Sequence, residues 1–495
     1  MFSKILSVAL LCGVVRYAKV ILAALLMGCV AAGAQDVLDE ATQLTDRGDF
    51  QGAAVLLDNA LHFPDLSPAR RKQLEFQRDV LDRVRKDYSL TKDALFQKVN
   101  ASVKDLLDEE FERWLADGWF DGKMIDGQMF YLHVSVSNLY FRHPELNARR
   151  LDTPDTTLEQ QGRLEVCRAI KKAAGEQGTP YVLPHHFACT MTVTTETNAA
   201  PPGEMIRAWL PIPRQSPFQD DFQLSHAFPP AKSVAPENSG IRSVYMEQRA
   251  SEDGSAKFEI AYTYTARGVC FDIKPERIRR PDLTNAALAP FVMEGPHVVF
   301  TEKIRNLARQ IIGEETNPMR QAKDFYDWIG GNVKYSFARE YSTLTNISDY
   351  CLSHRYGDCG QEALLFITLC RSEGIPARWQ TGWDVFPGGK DIHDWTEIYL
   401  EPYGWVPVDP WAGLFATQYC PALTPAQRQE LHDFYFGGLD YYRMAANSDH
   451  SQRLDPPKNT LRSDDVDFQR GELEWSGGNI YFDKYSYNLS AEELK

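Results

Sequence analysis

Residues 357–376, GDCGQEALLFITLCRSEGIP, decide how this chain is read. Ala363, Leu364, Phe366, Ile367 and Cys370 recur at three- and four-residue steps, the signature of a helix that buries one stripe. Gly374 and Pro376 stop it. Tyr356, Gly357 and Asp358 form a polar turn ahead of it, with Asp358 the natural N-cap. Cys359 therefore stands in the first turn, where the positive end of the helix dipole lowers the cost of a thiolate, the reactive form of cysteine.

Downstream, 378–382 (RWQTG) reads as a short strand, 383–390 as a glycine-containing loop, and 393–400 (HDWTEIYL) as a second strand. A turn over 401–404 leads to a third strand, 405–408, closed by Asp409 and Pro410. His393 and Asp409 thus lie on the two arms of one hairpin. An odd number of loop residues puts them on one face and an even number on opposite faces. A thiol needs an imidazole to take its proton, and a carboxylate on the other ring nitrogen fixes the useful tautomer. Taken singly, a cysteine at a helix start or an aspartate before proline is commonly structural. The three in order, Cys359, His393 and Asp409, are the candidate catalytic set. Trp395, two residues from His393 and on its face, is expected to wall the site off from water.

These elements resemble the core of the transglutaminase-like superfamily. The likeness is carried by Gly357-Asp358-Cys359, by Cys370-Arg371 through Gly374-Ile375-Pro376-Ala377-Arg378, by His393-Asp394-Trp395-Thr396-Glu397, and by Gly404-Trp405-Val406-Pro407-Val408-Asp409-Pro410. The resemblance implies Cys359 as nucleophile, His393 as general base and Asp409 as its orienter. It also implies an oxyanion site made by the Cys359 amide and a second donor. Trp328 and Tyr335, in FYDWIGGNVKYSF (325–337), are the candidates, each equally readable as a core aromatic. No acidic cluster with calcium-ligand spacing follows the core, and paired Cys-x-x-Cys elements are missing, so neither a metal nor another cofactor is expected.

The expected fold is α+β, with five segments: an export signal (1–34), a mainly helical domain (35–178), a β-sandwich (179–280), the transglutaminase-like core (281–415) and a strand-containing extension (416–495). The first segment carries Lys4, Arg16 and Lys19 without an acid, then an apolar run and an Ala-Gly-Ala site. Leu26-Met27-Gly28-Cys29 also resembles a lipoprotein box, which would anchor the chain to a membrane through Cys29. The stretch 45–61 suggests one helix-turn-helix, too few for a solenoid. Between 185 and 272 the apolar period falls to two, as in 188–195 (ACTMTVTT) and 256–265 (AKFEIAYTYT).

The formal net charge is −15, and loss of the signal makes it more negative, which disfavours nucleic acid and anionic lipid as partners. Beyond Cys12 and Cys29 an odd number of cysteines remains, so at least one stays unpaired in an oxidising compartment. The expected chemistry is thiol-dependent hydrolysis of an amide in a peptide, protein or cell-wall substrate. Acyl transfer to an amine, glycanase-like deglycosylation and a silent binding module are the alternatives.

Overall fold

Three amphipathic helices, Ala34–Asp46, Phe50–Leu61 and Pro68–Asp87, open the computed structural model, which describes residues 34–494. The export signal expected over 1–34, with Cys29, lies outside the described residues but for its last position. Among the described residues no helix is long and apolar enough to cross a membrane. The chain divides into two compact units, one reaching to residue 100 and including 106–135, the other comprising 101–105 and 136–495.

In the first unit Phe50, Ala53, Leu57, Leu74, Leu81 and Val84 meet as a small core. Asp49 and Ser67 cap the second and third helices by accepting from Gly52 and Arg70 amides, groups the helix itself leaves unbonded. The turn expected inside 45–61 falls at its start, over Arg47–Asp49, so the stretch is mostly one helix and its partner precedes it. A hairpin of Gly122–Ile125 and Gln128–Tyr131 completes this unit.

In the second unit two five-stranded sheets face each other. One runs Gly438–Leu439, Lys257–Cys270, Tyr181–Thr195, Tyr485–Leu494, with Gln219–Phe228 also on Lys257–Cys270. The other runs Gly478–Ile480, Glu472–Trp475, Met205–Pro211, Ser243–Arg249, Ser233–Val234. The period-two residues Phe187, Cys189, Met191 and Val193 meet Ile206, Ala208 and Leu210 in one buried cluster, as the alternation requires.

The sheet that bears on function is antiparallel, in the order Gly404–Val408, Asp391–Leu400, Ala377–Asp384, Arg443–Asn447. Helix Cys359–Ser372 packs on it and is buried from Gly360 to Arg371. The expected single apolar stripe is therefore a correction. Polar residues on the remaining faces are buried too: Thr368 binds the Leu364 carbonyl and Ser348, and Arg371 donates to the Ala377 carbonyl. A helix surrounded on all sides reads as this kind of near-continuous apolar run.

The stretch 416–495 is distributed rather than appended, since its strands complete both sandwich sheets and the functional sheet. Residues 443–447 approach Ala377–Asp384 so closely that a Cβ on Gly382 would lie 1.8 Å from the Met444 carbonyl oxygen, and the pairing register shifts there. Gly382→Ala is expected to cost about 1–3 kcal/mol, the usual range for overpacking. Urea denaturation of the purified protein measures it.

Candidate active site

Helix Cys359–Ser372 begins with a capping box. The Asp358 carboxylate accepts from the Gln361 amide at 3.1 Å, and the Gln361 side chain accepts from the Asp358 amide. Tyr341 donates to the same carboxylate at 2.6 Å. Cys359 follows as the first helical residue and is partly exposed. Its thiol donates to Asp394 Oδ2 at 3.7 Å, and its sulfur also meets the Asp394 amide, so the nucleophile candidate rests against the residue next to His393. Gly360 lets the turn approach this closely, because a Cβ there would lie 2.2 Å from the Tyr341 hydroxyl and 2.8 Å from Asp394 Oδ2.

The hairpin that carries His393 closes through three residues between the paired Leu400 and Gly404, the odd count that puts His393 and Asp409 on one face. His393 Nε2 lies 2.7 Å from Asp409 Oδ2, with both side chains buried. The ionised carboxylate holds the proton on Nε2, which leaves Nδ1 as the basic nitrogen. Among the described residues Nδ1 has no hydrogen-bond partner. Asp409 also caps the helix Pro410–Gln418 by accepting from the Ala412 amide at 2.9 Å. Burial alone would raise the Asp409 carboxyl, but His393, Arg443 and this amide outweigh it and hold it below its ordinary range.

Arg443, itself fully buried, lies 3.4 Å from Asp409, 3.2 Å from Asp384 and 3.1 Å from Asp440. Arg163 meets the same Asp384 oxygen, Oδ2, at 2.9 Å. A cavity of about 210 Å³, lined among others by Arg163, Asp391, Trp411, Tyr435 and Arg443, adjoins this network.

Burial, the largest cause, pushes the thiol well above its ordinary value. The favourable helix dipole is thus opposed at rest, and the neutral thiol is the resting form. Glu362, fully buried with both carboxylate oxygens unpartnered, is likewise raised well above the carboxylate range, by burial, Asp358 and Asp409.

Of the remaining sequence candidates, Trp395 is fully buried and stacks on His393 with ring centroids 5.9 Å apart. Trp411 covers another side of the imidazole at 4.7 Å. Tyr335 packs among Phe141, Phe337, Trp411 and Phe415, and Cys359 is among the groups that raise its hydroxyl, after burial. Trp328 instead lies 4.5 Å beneath the Arg355 guanidinium. Sequence reasoning passed over Arg443 and Asp394. The first lies more than thirty residues beyond the hairpin with only an Asp440-to-Arg443 spacing to mark it. The second stands beside His393, where strand alternation turns it to the opposite face.

Residues 305–410 match the description of the transglutaminase-like superfamily. This domain belongs to that superfamily. A 131-residue stretch is 26% identical to an uncharacterized protein, YebA, of Bacillus subtilis strain 168, covering 23% of this chain and 18% of that protein. A solved candidate cysteine protease from Cytophaga hutchinsonii is 17% identical with a TM-score of 0.43, over 64% of this chain and 92% of that one. The periplasmic domain of TgpA from Pseudomonas aeruginosa is 15% identical with a TM-score of 0.26, over 55% and 95% respectively.

Two outcomes are expected of the transglutaminase-like domain. Arg443→Met leaves Asp409 and Asp440 without their cation and Asp384 with Arg163 alone, and is expected to cost about 3–5 kcal/mol, read from urea unfolding. Glu362 binds its proton more tightly folded than unfolded, so the stability it contributes is present below the unfolded value of about 4.3 and is lost as pH rises. Glu362→Gln is therefore expected to flatten the fall in stability as pH rises above that unfolded value, measured by denaturation at stepped pH.

Proposed function

We propose that the chain is a cysteine hydrolase that cleaves an amide bond through a thioester, with Cys359 as nucleophile, His393 as general base and Asp409 as its orienter. The observation that carries the reading is the buried 2.7 Å bond between His393 Nε2 and Asp409, which leaves Nδ1 free while the Cys359 sulfur rests against the adjoining residue.

In this scheme Nδ1 takes the thiol proton as sulfur attacks the amide carbon. The imidazolium then gives that proton to the leaving amine, and water activated by Nδ1 resolves the thioester. A resting neutral thiol suits the sequence, because charge separation is deferred until the substrate is present. The Cys359 amide, at a helix N-terminus, is one oxyanion donor. Of the two aromatic candidates for the second, Tyr335 is supported by its electrostatic proximity to Cys359, whereas Trp328 is engaged by Arg355.

The substrate is a peptide, protein or cell-wall amide, and the chain acts outside the cytoplasm. The basic-then-apolar first 34 residues support export, with a lipid anchor at Cys29 as the route to a membrane. The acidic net charge speaks against nucleic acid.

Cys359→Ala and His393→Ala are each expected to lower amide hydrolysis at least about a thousandfold, and the double variant no further, since the pair acts as a unit. A Cys359→Ala variant with unchanged turnover would falsify the assignment. Excess primary amine distinguishes the outcomes of the thioester: a hydrolase leaves it unconsumed, whereas its appearance in the acyl product identifies a transferase.

A further inference from the structure

Asp394 is 2% exposed and lies on the face of its strand that meets the start of helix Cys359–Ser372. Gln469 Nε2 donates to Asp394 Oδ1 at 2.8 Å and to the His393 carbonyl at 3.1 Å, fixing Oδ1 as the accepting oxygen. Oδ2 is then the oxygen that faces the Cys359 sulfur, at 3.7 Å. No ion pair is made by Asp394 among the described residues.

The groups around it are acidic or neutral on every side. Cys359 and Asp358 face it from the helix start, Tyr341 from the preceding turn, Thr381 from the neighbouring strand, and Asp464 and Asp467 from the C-terminal loop. The cation of this cluster, Arg470, is engaged by Glu340 through two contacts of 2.9 and 2.6 Å and lies 3.6 Å from Asp464. A buried carboxyl with no cation and three carboxylic neighbours is stable only in its neutral form. Burial, Asp358 and Asp464 accordingly push it well above the carboxylate range.

We infer that Asp394 is a further catalytic residue: its carboxyl keeps its proton in the working enzyme and donates a hydrogen bond from Oδ2 to the Cys359 sulfur once His393 has taken the thiol proton. This rests on the proposed roles of Cys359 and His393. The step is balanced within the site. The S–H bond breaks, the proton moves to Nδ1 of His393, and the O–H bond of Asp394 stays intact while turning toward the new thiolate. An ionised Asp394 would instead set a second negative charge beside the sulfur and oppose the same transfer. The thiol's rest contact with Asp394 then becomes the contact that carries the thiolate.

The test is the rate of iodoacetamide alkylation at Cys359 in the full mature chain as a function of pH, read by peptide mass, for wild type, Asp394→Asn, Asp394→Ala and His393→Ala. Asparagine still offers a donor, so its midpoint is expected to stay within about 0.3 pH unit of wild type. Alanine offers none, and its midpoint is expected to rise by about one unit, a tenfold loss of rate at fixed lower pH. If both variants lower the midpoint, Asp394 is an anion that suppresses the thiolate and the inference is overturned; it is equally overturned if neither moves it. Asp394→Asn also decides alone should the alanine variant not fold, because a midpoint lowered by about one unit or more identifies an anion. Alkylation indifferent to His393→Ala refutes the base assignment instead, so the two failures are told apart.

Discussion

One guanidinium holds the geometry of this site in place. Arg443 is fully buried and sits among Asp384, Asp409 and Asp440, with Arg163 balancing Asp384 from helix Thr157–Gln177. Without it, Asp409 would keep only His393 and the Ala412 amide to set against the burial that favours its protonated form. The ion cluster does not need to add net stability to matter, since desolvation offsets much of the Coulomb gain. Its consequence is directional. It adds to the His393 contact and the Ala412 amide in holding Asp409 below its ordinary range, and an anionic Asp409 fixes the imidazole tautomer.

The cluster also explains why residues outside the 305–410 match belong to the working domain. Strand Arg443–Asn447 adds the fourth member of the functional sheet, and Gly382 gives it room. Beyond it, Gln469 reaches back to the His393 carbonyl and to Asp394. The loop after the sheet therefore holds strand Asp391–Leu400 through the His393 backbone and the Asp394 carboxyl.

What the sequence made legible follows from the range of each interaction. Helix Cys359–Ser372, its Asp358 cap and the hairpin bearing His393 and Asp409 are local, fixed by spacing, capping chemistry and period two, and all are visible in about fifty residues. The parity rule could be stated but not resolved, because the loop length depends on where pairing ends, at Leu400 and Gly404. Arg443 and Gln469 were not legible. A charge two of whose partners, Asp409 and Asp384, lie about thirty to sixty residues away leaves no periodic trace of them, and an arginine in an apolar strand looks the same in sequence whether it is buried or at a surface. The burial of helix Cys359–Ser372 on every side was missed for a related reason. Gln361, Thr368 and Arg371 suggest a solvated face unless their buried partners are known, and Glu362 is buried without one among the described residues.

The two faces of strand Asp391–Leu400 carry opposite electrostatics, and under the proposed mechanism this is the feature that makes a neutral resting thiol compatible with turnover. On the His393 face, two arginines hold the carboxylates of Asp409 and Asp384 ionised. On the Asp394 face, Asp394 and Asp467 are pushed well above their ordinary range and Asp464 up to about 7, each by burial first and then by like neighbours, so that side takes up protons rather than charge. In the proposed scheme the thiolate would have the neutral Asp394 carboxyl as its hydrogen-bond donor and His393 as the acceptor of its proton. Reversing the arrangement, with the anion beside sulfur and the neutral acid behind histidine, would oppose both the loss of the thiol proton and its acceptance. The same pair of environments, set one residue apart on a single strand, thus gives the proton one direction in which to move.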